Sequence, residues 1–131
     1  VHAITDVTGF GLAGHALELA RGAGCDLHID WAQVPLLDGV RALAVAGCVT
    51  GASGRNWGGY GSEVLLPEGF AAEDRALLTD PQTSGGLLVT CEPSSLEAVC
   101  AVFDRHGFSA PAVIGEVGGK RDAPRLSVRQ R

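Results

Sequence analysis

Glycine is the residue that most constrains this chain. The 131 residues include 19 glycines, about twice the usual share, and they follow no regular period. Because glycine favours turns and weakens the interiors of helices and strands, these residues separate the apolar segments into short elements. Six prolines and the lack of an every-third-residue repeat exclude collagen and low-complexity disorder. With 46% apolar residues, the sequence predicts one globular domain with a sizeable core.

Charge and hydropathy narrow the class of protein. No apolar run approaches the roughly 18 to 20 residues that span a bilayer, and no signal peptide is recognisable, so we expect a cytoplasmic protein that contacts no membrane. The net charge of −5 argues against a nucleic-acid partner. An anionic ligand would need a cation or backbone N–H groups beside it. The chain opens Val1-His2-Ala3 and contains no methionine, so we expect it to be a piece of a longer protein.

Periodicity predicts short helices and strands in irregular alternation. This order favours one α+β or α/β domain, of which we adopt α+β, with a mixed β-sheet and helices packed on it. A Ser-x-x-Glu capping box at 94–97 supports the last helix, and the apolar run at 87–91 predicts a strand buried on both faces. The predicted helices cover 10–23, 36–46, 71–78 and the segment from Leu96 to His106-Gly107. The predicted strands cover 25–31, 63–66, 87–91, 112–117 and 125–128. The glycine-rich segment 50–62 is predicted to be a loop.

Cysteine and histidine spacing predicts no metal site. The chain has no Cys-x-x-Cys pair and no His-x-x-x-His pair, so zinc-ribbon and redox-motif interpretations fail. Three of the cysteines lie in apolar segments, where cysteine behaves as a small buried hydrophobic residue. We also expect His15 to pack or hydrogen-bond rather than to bind metal. The cysteines are Cys25, Cys48, Cys91 and Cys100, of which Cys48 is the one outside an apolar segment.

The segment Thr5-Asp6-Val7-Thr8-Gly9-Phe10-Gly11 directly precedes the first predicted helix. It places a carboxylate and two glycines at the positive end of the helix dipole, where Mg²⁺ and a phosphate would both be favoured. We therefore take Asp6 as a candidate metal ligand, and Gly9 and Gly11 as candidate phosphate-facing residues. The alternative is structural: Asp6 or Thr8 caps the helix and the glycines relax the turn.

A second segment, 78–86, reads Leu-Thr-Asp-Pro-Gln-Thr-Ser-Gly-Gly and leads into the predicted strand at 87–91. Its hydroxyls and paired glycines would let backbone amides approach a phosphate. The candidate phosphate-facing residues are Thr83, Ser84, Gly85 and Gly86. The alternative is structural: Asp80 could close a turn, and the glycines could only allow unusual backbone angles. Neither segment has a nucleophile with a base beside it, and no P-loop occurs, so we predict no catalytic residue here.

Together the two segments resemble the selenophosphate synthetase (selenide, water dikinase) family, over essentially the whole chain and as that enzyme's C-terminal domain. The resemblance is carried by 5–15, Thr-Asp-Val-Thr-Gly-Phe-Gly-Leu-Ala-Gly-His, and by 78–88, Leu-Thr-Asp-Pro-Gln-Thr-Ser-Gly-Gly-Leu-Leu. It implies a fold like the aminoimidazole ribonucleotide synthetase C-terminal domain, with residues 1–131 as a single domain. It also implies that an N-terminal ATP-binding and catalytic domain is absent from this chain.

The resemblance further implies an activity and its partners. Family members use ATP, selenide and water to make selenophosphate, AMP and phosphate, with Mg²⁺ bridging phosphates and clustered aspartates. The aspartate of the first segment, a metal ligand in the family, matches Asp6. The reactive cysteine or selenocysteine belongs to the absent half, so none of the four cysteines here is its counterpart. A homodimer is expected, and the isolated chain is expected to be inactive.

Two other interpretations remain open from the residues. One is a domain of a related ATP-dependent enzyme, of the aminoimidazole ribonucleotide synthetase or thiamine-monophosphate kinase type. The other is a domain that only binds or scaffolds. The role of the 50–62 segment is open as well: Asn56 and its glycine-rich loop could form a lid over the site or a flexible surface connection.

Overall fold

The computed structural model describes residues 1–108 and 111–131. They form six strands, five α-helices and three short 3₁₀ turns. The strands are β1 (Ala3–Asp6), β2 (Cys25–Asp30), β3 (Val64–Leu65), β4 (Leu87–Thr90), β5 (Gly115–Lys120) and β6 (Leu126–Arg129). The helices are α1 (Gly11–Ala23), α2 (Val40–Val45), α3 (Gly51–Tyr60), α4 (Ala72–Leu78) and α5 (Leu96–Arg105), and the 3₁₀ turns are Trp31–Gln33, Gly61–Glu63 and Pro93–Ser95.

The strands form two separate sheets. One has four strands in the order β3-β6-β2-β5, with β2 antiparallel to β5 and parallel to β6, and β6 parallel to β3. The other is an antiparallel pair of β1 and β4. The larger sheet is mixed and helices pack on it, so the α+β prediction is confirmed. Within the described ranges, no helix is long and apolar enough to cross a membrane.

The core lies between α1 and the four-stranded sheet. Small residues on α1 let the helix approach the sheet closely, and Leu17 in their midst is fully buried. Because α1 directly follows β1, this packing also fixes where the first motif lies. The buried residues of α1 are Gly11, Ala13, Gly14, Ala16, Leu17 and Ala20, and those facing them include Leu27, Ile29, Val64, Leu78, Leu126 and Val128.

Several sequence-based boundaries agree with the structure. The amphipathic spacing at 10–23 corresponds to α1, which ends at Gly24 in the left-handed conformation (φ 65°). Alternation at 25–31 corresponds to β2, and the predictions at 63–66, 71–78 and 125–128 correspond to β3, α4 and β6. These elements have a clear apolar period and an evident terminator, so local sequence suffices to define them.

The clearest error concerns segment 50–62, which is a helix, α3, rather than a loop. Thr50 caps the helix by accepting a hydrogen bond from the Ser53 N–H at 3.2 Å. Ser53 and Tyr60 are buried against neighbouring elements. The packing of that one face compensates for the low helix propensity of the glycines along the rest of the helix.

Other predictions need smaller corrections. The helix expected at 36–46 is confined to Val40–Val45, because Gly39 in the left-handed conformation (φ 79°) starts it. The strand expected at 112–117 lies at Gly115–Lys120, and β1 was not predicted. β4 is not buried on both faces, because it pairs only with β1 and Leu87 is 57% exposed. No side-chain cap bond is present at the start of α5 within the described residues, so the capping box is not formed.

Candidate functional site

The two motifs lie side by side in the structure. The antiparallel β1–β4 pair sets Thr5 opposite Leu88 and Asp6 opposite Leu87. Two backbone bonds extend the contact beyond the strands: the Val7 N–H donates to the Gly86 carbonyl at 2.9 Å, and the Gln82 N–H donates to the Thr8 carbonyl at 3.0 Å. The segments at 5–11 and 78–86 thus form one structural unit.

Asp6 is the last residue of β1, and its side chain is exposed on the outer face of the two-stranded sheet. In the described part of the chain, the Asp6 carboxylate has no hydrogen-bond or ion-pair partner, although the backbone oxygen of Asp6 accepts from the Thr5 hydroxyl. Those same residues contain no group of three or more His, Cys, Asp or Glu side chains placed to hold a metal ion. Asp6 therefore offers a single free carboxylate. This fits Mg²⁺, which proteins hold through one or two carboxylates together with waters and substrate phosphates.

The start of α1 lies next to Asp6. Its N-cap is Phe10, which has no side-chain capping bond from the described residues, and its first turn carries no acidic residue. Thr8 does not cap the helix: its Oγ1 lies 3.0 Å from Nε2 of His15 instead. The alternative that Asp6 or Thr8 serves as the helix cap is therefore wrong. Among the described residues, no side chain caps the positive end of α1.

His15 packs and hydrogen-bonds, as predicted. Besides its contact with Thr8, its Nδ1 lies 3.5 Å from Oγ1 of Thr5, and its ring packs against Phe10 with centroids 5.9 Å apart. The side chain connects α1 to the motif that precedes it. This histidine therefore helps to fix the shape of the turn.

The candidate glycines divide into two groups. Gly11 has φ 72°, and a Cβ there would lie 2.6 Å from the backbone carbon of Thr79. A Cβ on Gly85 would lie 1.9 Å from the carbonyl oxygen of Val7. These two glycines allow the motifs to touch each other. Gly9 and Gly86, in contrast, have open space around the position of a Cβ, with no described heavy atom within 4 Å.

The turn at 83–86 is mostly exposed. Thr83, Ser84 and Gly86 are exposed, whereas Gly85 is half-buried against Val7. The hydroxyls of Thr83 and Ser84 have no hydrogen-bond partner within the residues described. The turn therefore presents free polar groups beside the motif that carries Asp6.

Sequence reasoning missed a third component of this unit, which is α3. Asn56 Nδ2 donates to the carbonyl oxygen of Gly9 at 2.8 Å and to that of Thr79 at 3.0 Å. The Tyr60 hydroxyl donates to the carbonyl oxygen of Phe10 at 2.5 Å, and burial raises the pKa of this tyrosine to about 12. The spacing of Ser53, Asn56 and Tyr60 at i, i+3 and i+7 was the available signal of a helix face.

Buried hydroxyls attach α3 to the second motif. Ser53 Oγ lies 2.6 Å from Thr79 Oγ1, and it donates to the Ala76 carbonyl at 2.8 Å. Both residues are buried, Ser53 at 3% and Thr79 at 1% exposure. Because buried polar groups are costly when unpaired, this pair favours one fixed docking of α3 on α4. The alternative that segment 50–62 is a flexible surface connection does not fit these contacts.

A cleft of about 320 Å³ lies between α1 and α3, and residues of both helices line it. Its walls include Phe10, Arg21, Arg55 and Tyr60. Arg21 is neutralised there by ion pairs of 2.6 Å to Glu18 and to Glu63. The cleft opens beside the first motif.

All four cysteines are free thiols. Cys48 is exposed, and the other three are half-buried rather than fully buried as predicted. One begins the strand β2, one directly follows β4, and one lies on α5, in which none of the described residues is fully buried. The three are Cys25, Cys91 and Cys100.

Comparison with known proteins identifies clear relatives. The family described as "AIR synthase related protein, C-terminal domain" matches residues 1–126. The selenide, water dikinase of Burkholderia pseudomallei (strain K96243) is 57% identical over 117 residues, which cover 89% of this chain and 33% of that protein. The selenide, water dikinase of Pseudomonas straminea is 55% identical over 128 residues, which cover 98% and 35%. That of Rhizobium meliloti (strain 1021) is 46% identical over 115 residues, covering 88% and 33%. This chain thus spans about a third of the length of these curated relatives.

Proposed function

This chain belongs to the family of AIR synthase related protein C-terminal domains, and from that premise we propose that it is the C-terminal domain of a selenide, water dikinase. The complete enzyme would convert ATP, selenide and water into selenophosphate, AMP and orthophosphate. Identities of 55% and 57% to proteins of that name support the proposal. The observation that carries it is the free Asp6 carboxylate at the junction of the two motifs.

Asp6 would hold one Mg²⁺ in the complete enzyme, and that ion would neutralise phosphate charge near a domain that itself carries a net charge of −5. Exposure of Asp6 at the end of a strand leaves its oxygens accessible to an ion. The lack of an ion-pair partner within the described residues keeps both oxygens available. The remaining ligands would come from outside this chain.

The uncapped start of α1 would face phosphate oxygens through its backbone N–H groups. Gly9 and Gly86 have open space around them, so phosphate could approach their backbone closely. Thr83 and Ser84 would add hydroxyl donors from the neighbouring turn. Gly11 and Gly85 would act differently, by letting the two motifs pack together.

The rest of the site would come from an N-terminal ATP-binding domain in the same polypeptide. In this proposal, the 131 residues supply a metal ligand and phosphate-facing groups, and the absent domain supplies the nucleotide pocket and the reactive group. A homodimer and a cytoplasmic location remain predictions. Related ATP-dependent enzymes are less well supported, because the three relatives described above all carry the name selenide, water dikinase.

The test is selenide dependence in the full-length protein. With Mg·ATP, the purified enzyme should form AMP when selenide is present and little AMP when selenide is omitted. The isolated 131-residue chain, assayed in parallel, should form none. Selenide-independent consumption of ATP by the full-length protein would contradict the proposal and favour another enzyme of the superfamily.

A further inference from the structure

Asn56 belongs to neither motif, yet it contacts both. Its side-chain amide carries two N–H hydrogens, and the structure gives each an acceptor: the Gly9 carbonyl at 2.8 Å and the Thr79 carbonyl at 3.0 Å. These two carbonyls belong to segments that are far apart in sequence. One side chain therefore connects the turn after Asp6 to the start of the 79–86 turn.

The two bonds continue a series of links between the motifs. The Val7–Gly86 and Thr8–Gln82 backbone bonds form the first two links beyond the β1–β4 pair. At Gly9 the backbone no longer bonds directly to the second motif, and the Asn56 side chain spans the distance. Because glycine has the greatest backbone freedom, a hydrogen bond from outside the segment restricts Gly9 more than it would restrict another residue.

The bond to Gly9 also orients the next amide. All described peptide bonds are trans, so the N–H of Phe10 points opposite to the Gly9 carbonyl. Holding that carbonyl on Asn56 therefore directs the Phe10 N–H away from α3. This amide immediately precedes the uncapped first turn of α1, where the proposed phosphate contacts lie.

Asn56 is itself held firmly. Ser53, one turn earlier on α3, is buried and bonded to the Thr79 hydroxyl, and Tyr60, one turn later, is buried and bonded to the Phe10 carbonyl. These contacts flank Asn56 on the same helix face. Because α3 is anchored on both sides of Asn56, this side chain can hold the two carbonyl groups at a nearly fixed distance from each other.

We infer that Asn56 is a positioning residue, which holds the Asp6–Gly9 segment and the 79–86 turn at the spacing that a phosphate-bound Mg²⁺ requires. The inference rests on the proposed function for the identity of the ligand. The hydrogen-bond geometry that carries it is independent of that function. Asn56 itself contacts only protein carbonyls, so its effect is transmitted through the two segments.

The test compares Asn56→Asp with a stability control in the full-length enzyme. Asn56→Asp keeps the side-chain shape but removes both donors and places carboxylate oxygens against two carbonyls. Val128→Ala is the control, because Val128 is a buried core residue with 4% exposure on β6, a strand that pairs with β2 and β3 and belongs to the other sheet from β1 and β4. Kinetics are measured for both at a temperature where both remain folded, together with amide hydrogen exchange.

For Asn56→Asp we expect the Mg²⁺ concentration for half-maximal AMP formation to rise about tenfold, and amides within 5–12 and 79–86 to exchange faster. Val128→Ala should change the Mg²⁺ requirement by less than about twofold at a comparable loss of thermal stability. An unchanged Mg²⁺ requirement or unchanged exchange in Asn56→Asp would overturn the inference. An equal rise in both variants would show a merely structural role and overturn it too.

The proposed function can fail separately. If the wild-type enzyme forms no selenide-dependent AMP, the dikinase assignment is lost, and hydrogen exchange then decides the inference on its own. Faster exchange in both segments of Asn56→Asp, and not in Val128→Ala, would still establish Asn56 as the residue that holds them together.

Discussion

The acidic residues of the two sheets have different partners. On the four-stranded sheet, Asp26 and Asp30 are both paired with arginines, and hydrogen bonds lower the pKa of each. Asp26 accepts from the Arg125 N–H and from Arg121, both at 2.8 Å. On the two-stranded sheet, Asp6 lies exposed at the end of β1, and its side chain has no partner among the residues described.

This difference separates structural carboxylates from available ones. Oδ1 of Asp30 accepts from Arg129 at 2.7 Å and from Arg131 at 3.2 Å, so this carboxylate already has two cationic partners. A cation approaching Asp30 would have to displace them, whereas one approaching Asp6 would not. We call the β1–β4 pair with the adjoining turns the motif end, and the four-stranded sheet the sheet end. The motif end depends on backbone contacts, and the rim of the sheet end depends on ion pairs.

The largest effect is expected from breaking the backbone contact at the motif end. Gly85→Ala would set a Cβ 1.9 Å from the Val7 carbonyl oxygen, so β1 and β4 would have to separate. We expect a loss of about 3 kcal/mol or more in the free energy of unfolding, measured by urea denaturation. Gly86→Ala is the matched control, with open space at the Cβ, and should cost less than about 1 kcal/mol. Equal losses would show that the close approach does not stabilise this end.

Neutralising one unpaired and one paired aspartate tests whether the two kinds of carboxylate differ in their effect on activity. In the full-length enzyme, Asp6→Asn should reduce selenide-dependent AMP formation on the order of 100-fold, because the proposed metal ligand would be lost. Its free energy of unfolding should change by less than about 0.5 kcal/mol, since no described contact is broken. Asp30→Asn should keep activity within about twofold. Near-normal turnover of Asp6→Asn would remove this residue from the proposed site.

Loss of the N-cap of α3, the helix that contacts both motifs, should lower the stability of the protein. Thr50→Ala removes the acceptor for the Ser53 N–H, and we expect a loss of about 1 kcal/mol in the free energy of unfolding. Ser95→Ala is the control, since Ser95 occupies the same position on α5 without a side-chain cap bond to any described residue. It should change stability by less than about 0.5 kcal/mol. A larger effect at Ser95 than at Thr50 would contradict the assigned caps.

The smallest expected effect is the pH dependence of folding stability that Asp30 contributes at the sheet end. The hydrogen bond from Arg129 holds the pKa of Asp30 below its usual value, so Asp30 stabilises the fold above about pH 4 and loses this contribution as pH falls through its lowered pKa. The stability difference between wild type and Asp30→Asn should be about 1 kcal/mol or less at pH 7 and should shrink towards pH 2. Arg129→Gln should weaken the same pH dependence. A difference that grows on acidification would show the sign to be wrong.

Much of the sheet end could be predicted from the sequence. In α1 and β2, the apolar period of each element matches its burial, and Gly24 separates them. Local patterns of this kind are decided by residues next to each other in the chain. Both motifs were also identified from sequence, with Asp6 as the candidate ligand. That they lie against each other follows from the β1–β4 pairing, and β1 itself was not predicted.

The helix α3 could not be predicted from local propensity. Gly54, Gly58 and Gly59 each disfavour a helix by about 1 kcal/mol relative to alanine. The helix exists because Ser53, Asn56 and Tyr60 find partners on α4 and on the first motif. Those partners come from distant segments, so the helix propensity of residues 50–62 does not reveal them.

Sequence reasoning was sufficient to predict an α+β domain with two glycine-containing motifs and a candidate metal ligand at Asp6. Periodicity, charge and turn residues act over short distances along the chain, and they were sufficient for that. Only the tertiary structure decided that Gly11 and Gly85 bring the motifs into contact, and that Asn56 ties both together. Close approach and shared hydrogen bonds depend on distances between remote segments, which packing of the core alone fixes.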